Sequence, residues 1–282
     1  MLRIALPNKG ALSEGVVTLA PEAGYKVRRG DGDLIARDPH HEVEFFFLRP
    51  RDIAVYVANG TLQVGITGRD LAADSGAELA ELLPLGFGGS TFRYAVPRDS
   101  DLTPDAFGGL RIATSYPNIV MDDMAKRGID AHVVELDGAV EISIQLGVAD
   151  AVADVVQTGR TLEQAGLKTV GDPVLESEAI LIGRDTSILE HEGVSRFVQR
   201  VKGIITARAY VLIDYVVEKS LLDVVRAITP GIQSPTVSPT NKEDWVAVRV
   251  MAPRRDANRL LDELSAAGAR AVLVTDITTC RL

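Results

Sequence analysis

The stretch Glu141-Ile-Ser-Ile-Gln-Leu-Gly147-Val-Ala149-Asp-Ala-Val152-Ala-Asp154-Val155-Val-Gln-Thr158-Gly159-Arg160-Thr161-Leu162 decides how the chain reads. It spells the end of a helix, a turn at Gly147, a buried strand, and a polar loop entering another helix. Val152, Val155 and Val156 suit a pleated, buried surface, and Asp154 stands among them where a carboxylate is costly without a partner. Thr158-Gly159-Arg160-Thr161 has the parts of a phosphate cradle: close backbone approach at glycine, two hydroxyls and one positive charge. Thr161 opens a Thr-x-x-Gln164 capping-box pattern, which predicts helical N–H groups pointing into the loop. An acidic strand end beside an anion-binding turn points to a sugar phosphate, with Asp154 on its hydroxyls and the loop on its phosphate.

Upstream, Arg3 to Leu6 reads as a strand stopped by Pro7, and Asn8-Lys9-Gly10 makes the turn into a helix marked by Leu12, Val16, Leu19 and Ala20. Glu44 to Leu48 is a second strand, ending in Arg49-Pro50-Arg51, with a helix from Asp52 to about Ala58. Val64 to Ile66 is a third, and Thr67-Gly68 leads into a helix from Arg69 to Ala73. Three strand ends therefore carry Lys9, Arg49 and Arg69-Asp70, and open α/β sheets bind ligands at the carboxyl ends of strands. Leu85-Gly86-Phe87-Gly88-Gly89-Ser90 is a flexible run at a candidate domain boundary. Thr91 stands where a dinucleotide fingerprint needs its third glycine, so a Rossmann cofactor site is rejected.

A second α/β unit follows. Phe92 to Val96, Arg111 to Thr114 and Ala131 to Leu136 read as strands, with helices after Pro117, closed by Gly128, and from Gly138 to Leu146. Thr114 and Tyr116 either line a cleft or cap the Pro117 helix; Arg51 and Arg93 are further phosphate contacts that the sequence does not place. Val174 to Ile182 reads as one strand carrying the chain back to the first unit, where an apolar-faced helix from about Gly193 to Ala207 packs. Two lobes joined by two crossings make a hinged cleft. The remainder alternates as a strand (Arg208–Val217), a helix (Leu221–Ile228), a strand broken by Pro235 and so at an edge (Gln233–Ser238), a strand (Trp245–Met251), a helix (Ala257–Ala267) and a strand (Ala271–Ile277). That βαββαβ order is ferredoxin-like, and without concentrated catalytic side chains it reads as a regulatory or assembly domain.

With 282 residues, 46% of them hydrophobic, the chain has ample core for two or three domains. A net charge of −9 argues against a general nucleic-acid or membrane binder, so phosphates must be met by local basic clusters. The single cysteine, Cys280, excludes an intrachain disulfide and fits a reducing cytosol. His40, His41, His132 and His191 lack metal-ligand spacing, and no stretch reads as a signal peptide or membrane span. The expectation is a cytoplasmic protein.

The longer pattern Glu-x5-Gly-x-Ala-x2-Val-x-Asp-Val-x2-Thr-Gly-x-Thr-Leu, from Glu141 to Leu162, resembles the signature of the ATP phosphoribosyltransferase family, long form. Ala5-Leu6-Pro7-Asn8-Lys9-Gly10 and Val64-Gly65-Ile66-Thr67-Gly68-Arg69-Asp70 are similar to that family too, and the resemblance covers the whole chain. It implies two periplasmic-binding-protein-like α/β lobes around a cleft plus a ferredoxin-like regulatory domain. The expected boundaries are 1–90 with 184–207, 91–183, and 208–282. It implies transfer of the phosphoribosyl group of phosphoribosyl pyrophosphate to N1 of ATP, releasing pyrophosphate, as the first step of L-histidine biosynthesis. Thr158, Gly159, Arg160 and Thr161 then hold the 5′-phosphate and Asp154 the ribose. Lys9, Arg49, Gly68, Arg69 and Asp70 face nucleotide and pyrophosphate, and Glu141 approaches the adenine or metal. Mg2+ is expected through substrate phosphates rather than a protein-built site.

The resemblance further implies feedback inhibition by L-histidine at Ile232, Ser234 and Thr236, with Ala271 nearby, and assembly into dimers and hexamers. One departure stands out: Val216 follows Asp214-Tyr215 where relatives often carry Asp or Asn, which puts the strength of inhibition in doubt. The rival reading is a two-lobed small-phosphometabolite binding or sensor protein without catalysis. Such a protein needs a cleft and a hinge, but not Asp154 beside Thr158-Gly159-Arg160-Thr161.

Overall fold

The computed structural model describes residues 1–27 and 33–281. The chain divides into two compact units, Met1–Pro21 with Tyr25–Val198, and Glu22–Gly24 with Gln199–Leu282. No helix among the described residues is long and apolar enough to cross a membrane.

The first unit begins with β1 (Leu2–Pro7), α1 (Gly10–Glu22), β2 (Ile35–Asp38), β3 (Val43–Leu48), α2 (Pro50–Ala58), β4 (Val64–Gly68), α3 (Arg69–Asp74) and β5 (Ala80–Pro84). β1 lies parallel between β3 and β4, paired with β3 from Leu2↔Val43 to Pro7↔Leu48. Both faces of these central strands are covered, so they are apolar almost throughout, with Ile4, Ala5, Phe45 and Val64 fully buried. The chain then builds a second sheet from β6 (Ser90–Pro97), β7 (Arg111–Thr114), α4 (Pro117–Arg127), β8 (His132–Glu135), β9 (Ala151–Val156), α5 (Arg160–Gln164) and β10 (Leu167–Ser177). β11 (Ala179–Gly183) returns to the first sheet, and α6 (Glu192–Ala209) follows. The sheet orders are β2-β3-β1-β4-β11-β5 and β10-β6-β9-β7-β8. Each sheet is mixed, with a parallel core and antiparallel strands on its flank.

Four sequence expectations change here. The single strand from Val174 to Ile182 is two strands in different sheets, broken at Glu178. The physical reason is burial: β11 is buried at all five positions and sits centrally, whereas β10 is a half-exposed edge. The helix from Gly138 to Leu146 is only a single 3-10 turn at Val140–Ile142. Gly138 (φ 141) and Ala139 (φ 50) occupy left-handed backbone that no helix can contain. The helix after Arg49 starts earlier, at Pro50, whose missing N–H costs nothing in a first turn. β2 and β5 went unread because each is short and half polar.

The second unit contains β12 (Tyr210–Glu218), α7 (Leu222–Ile228), β13 (Thr236–Pro239), β14 (Trp245–Pro253), α8 (Ala257–Ala266) and β15 (Arg270–Asp276). Its antiparallel sheet has the order β13-β14-β12-β15, so the expected βαββαβ arrangement is present with β13 at an edge and Pro235 just before it. Alternate residues of β12, Val211, Ile213, Tyr215 and Val217, enter one core with Val225, Leu260 and Leu264 of the helices.

Asp38, fully buried at the end of β2, accepts hydrogen bonds from the backbone N–H of Lys26, His40 and His41 and from the His41 ring. Burial alone would raise its pKa, but these donors outweigh it and hold the carboxyl below its usual value. A depressed folded pKa contributes stability above the unfolded value, and that stability is lost as pH falls through the folded value. Asp38→Asn is therefore expected to cost about 2–3 kcal/mol at pH 7 in urea unfolding, and to flatten the acid limb of the stability curve.

Candidate active site

β9 brings Asp154 to the cleft behind a run of fully buried Ala151, Val152 and Ala153. Its Oδ1 accepts from the Val155 N–H at 2.8 Å. Burial pushes the Asp154 carboxyl above its usual range, the Val155 N–H works against that, and the charges of Glu141 and Asp70 push it up further. Three acids from three elements thus feel one another at the end of β9.

Gly159, at φ 75, turns the chain into α5 through left-handed backbone that a side chain would strain. Here the expected capping box fails. The N-cap is Gly159 and α5 has five residues, so Thr161 already lies inside the helix and its hydroxyl caps nothing. That leaves the hydroxyls of Thr158 and Thr161 without partners among the described residues. Both line a cavity of about 420 Å³ together with Glu141, Asp154, Gly159 and Ala139. Arg160 is exposed and does not line it.

The carboxyl ends of β3, β1 and β4 lie side by side, so Arg49, Lys9 and Gly68-Arg69-Asp70 come to one edge of the first sheet. Lys9 and Arg49 are exposed, and neither has an ion partner among the described residues. Asn8 carries a buried Oδ1 with no hydrogen-bond partner, an acceptor facing no donor. Arg69 is different. Its guanidinium binds both carboxylate oxygens of Glu81 at 2.8 Å, Glu178 at 3.2 Å and the Glu176 carbonyl at 3.1 Å. The hydrogen bonds to Glu81 and then Glu178 drive its pKa further up, so it is a fixed cation tied to the crossing.

Asp70 is buried, its N–H donating to Ser177 Oγ at 3.0 Å and its Oδ1 accepting from that hydroxyl at 2.5 Å. A Cβ on Gly68 would stand 2.3 Å from Asp70 Oδ1, so glycine there makes room for the carboxylate to fold back over the strand end. Arg51 joins the lobes: it pairs with Asp74 at 2.6 Å, donates to the Ser115 carbonyl at 2.7 Å, and lies over the Tyr116 ring. The cap of α4 comes from Asp74, which accepts from the Asn118 N–H at 3.0 Å, while Tyr116 donates its own N–H to Thr114 Oγ1. Burial, then the charges of Asp70 and Asp154, raise the Tyr116 phenol, so the hydroxyl stays protonated at the cleft floor.

Ser177 and Glu178 were not legible as site residues. The only signal was the change from the mixed run before 178 to the apolar run after it.

The arrangement defines a class: a two-lobed α/β protein with an acid-and-hydroxyl cavity at a strand end, facing a basic sheet edge. The comparisons go further. The family model described as "HisG: ATP phosphoribosyltransferase" matches residues 49–203, and "HisG, C-terminal domain" matches residues 207–279. The chain is 56% identical over 283 residues to an ATP phosphoribosyltransferase of Salinibacter ruber, covering 100% of both chains. It is 57% identical over 285 residues to that of Corynebacterium kroppenstedtii, covering 100% of this chain and 99% of the relative. Among solved structures it is similar to the ATP phosphoribosyl transferase (HisG:HisZ) complex from Thermotoga maritima, with a TM-score of 0.65 and 26% identity over 73% of this chain and 99% of that one. The chain belongs to the ATP phosphoribosyltransferase family, in the long form with its C-terminal domain. Its activity is that of the first step of histidine biosynthesis.

Of the residues expected at a histidine site, Ala271 lies on the last strand as expected, but not beside the other three. Ile232, Ser234 and Thr236 lead into β13, whereas Ala271 lies on β15, at the opposite edge of the four-stranded sheet. Ferredoxin-like order makes the second and fourth strands the two edges, so within one chain these residues do not meet.

Because its pKa is raised in the fold, ionised Asp154 opposes folding at neutral pH, and that penalty disappears as pH falls. Asp154→Asn is expected to raise the urea midpoint at pH 7 while abolishing turnover. Glu141→Gln, which removes a like charge, is expected to move the acid limb of kcat/KM to lower pH.

Proposed function

We propose that the cavity beside Asp154 holds phosphoribosyl pyrophosphate and that the basic edge of the first sheet holds ATP. The observation that supports this most is the convergence of Asp154, Glu141 and two unpartnered threonine hydroxyls on one cavity of about 420 Å³. Thr158, Gly159 and Thr161 take the 5′-phosphate through hydroxyls and backbone N–H groups, with Arg160 adding charge from the exposed side. Asp154 accepts from the ribose hydroxyls, which gives its carboxylate the donors it lacks. Lys9 and Arg49, both exposed at the sheet edge, meet the polyphosphates. Gly68 and Asp70 shape the floor, and Arg69 acts through its hold on the crossing.

N1 of the adenine, already a nucleophile, supplies its electron pair to C1 of the ribose as the C1–O bond to pyrophosphate breaks. That bond's electron pair leaves with pyrophosphate. Positive charge grows on the ribose ring as this happens, and Asp154 with Glu141 stabilises it electrostatically. Holding both substrates at reacting distance supplies the larger part of the acceleration. No group of three His, Cys, Asp or Glu among the described residues could cage a metal. Asp154 and Glu141 would be the carboxylates to face a Mg2+ held mainly by substrate phosphates, and such an ion would supply positive charge against the pyrophosphate.

We further propose cytoplasmic location and inhibition by L-histidine in the second unit. With Ile232, Ser234 and Thr236 at one sheet edge and Ala271 at the other, the effector site closes between copies of the chain. The β15 edge supports this by exposing Leu273 (61%) and Val274 (41%), an open strand suited to a homo-oligomer. Val216 pairs with Arg270, next to Ala271, and there offers no polar group to histidine.

The test combines the protein with ATP, phosphoribosyl pyrophosphate, Mg2+ and pyrophosphatase, and follows phosphoribosyl-ATP. Thr161→Val is expected to raise the KM for phosphoribosyl pyrophosphate about tenfold with the KM for ATP unchanged. Histidine is expected to slow the wild type, and Val216→Asp to lower the histidine concentration needed. An unchanged KM in Thr161→Val would remove the loop from the phosphate.

A further inference from the structure

Behind the Val156–Gly159 loop lies another cavity, of about 400 Å³, that the reaction above does not use. Arg93, Arg98 and Lys168 line it, with the hydroxyls of Thr91, Thr158 and Thr169. These cations come from two neighbouring strands: Arg93 sits on β6 and Arg98 just beyond it, while Lys168 on β10 pairs with Val96. The Arg93 guanidinium is oriented by neutral acceptors, Thr91 Oγ1 at 3.2 Å and the Gly171 carbonyl at 3.4 Å. Among the described residues none of the three has a carboxylate partner, whereas Arg69, Arg111 and Arg127 each have one. Glu163 is the one carboxylate lining the cavity. In a chain of net charge −9, three converging cations with no paired acid are a place for an external anion.

The loop makes this cavity more than a surface patch. Val156, Gln157, Thr158, Gly159 and Leu162 line both it and the cavity at Asp154, so one thin wall separates them. An anion drawn to Arg98 and Lys168 presses on the back of the wall whose front carries the threonine hydroxyls.

We propose that Arg93, Arg98 and Lys168 form a second oxyanion site, which takes a phosphate or pyrophosphate group and braces the substrate loop from behind. The existence of the site stands on its own geometry; the bracing rests on the reading of Thr158 to Thr161 as the substrate's phosphate cradle.

The experiment titrates the full-length protein with inorganic pyrophosphate in a calorimeter, at two salt concentrations. Wild type, R98S/K168S and T161V are compared, with circular dichroism to confirm folding. The expected result is one pyrophosphate fewer per chain in R98S/K168S than in wild type, the lost event being the more salt-sensitive, with its affinity down about tenfold or more, and the event at the loop kept. T161V is expected to weaken only the other. The same series with ATP distinguishes free pyrophosphate from a nucleotide polyphosphate as occupant, and a loss confined to R98S/K168S with either probe supports the site. The same number of pyrophosphates and the same affinities in R98S/K168S as in wild type overturn it. If T161V keeps both events while R98S/K168S loses one, the second site stands and the cradle reading fails.

Discussion

Glu178 holds the first unit's two sheets at the point where the chain passes between them. Its carboxylate accepts from the Gly86 N–H at 2.8 Å on one crossing and from Arg69 on the first sheet, and its carbonyl accepts from the Arg69 N–H at 3.0 Å. Ala179 adds two backbone bonds to the same crossing, donating to the Phe87 carbonyl and accepting from the Leu85 N–H. Each half-exposed ion pair here is individually weak. Together they fix the register at which β10 stops and β11 begins, and Ser177, one residue earlier, grips Asp70. The hinge and the cleft floor are therefore one piece of structure, and a change at either is felt at both.

Charge is distributed in layers around that piece. Acids lie at the end of β9 and near Tyr116, Lys9 and Arg49 stand at the sheet edge without an ion partner among the described residues, and Arg51 and Arg69 are paired. The balance at Asp154 is instructive because desolvation and two like charges outweigh a good backbone hydrogen bond. At Asp38 the balance runs the other way, since several donors surround one buried carboxylate and outweigh its desolvation. The first is poised for a ligand and the second is already satisfied.

Much of this was legible in advance because it follows from local rules. Val-Glu-Phe-Phe-Phe-Leu can only be a buried strand, and the alternation of β14 shows one face of a sheet. Asp154 announced itself as an acid among valines, and Gly159 as a turn. What stayed hidden depends on distance along the chain. The bond between Asp70 and Ser177 joins residues 107 apart, and nothing near either one signals it. Glu178 is hidden for another reason: a strand that changes sheets keeps its extended backbone, so local pattern carries through the break. The lost helix at Gly138 to Leu146 is a case where one strained alanine overrode a plausible apolar spacing.

On the proposed placing of the ribose beside Asp154, the acids Asp70, Asp154 and Glu141 also bear on which small molecules would inhibit. A neutral ribose analogue gains hydrogen bonds there but does nothing about the mutual repulsion of three carboxylates. An analogue with a protonated nitrogen in the sugar ring relieves that repulsion and gains the hydrogen bonds as well. On that placing, selectivity for the cationic ring follows from the acids alone and not from the phosphate loop.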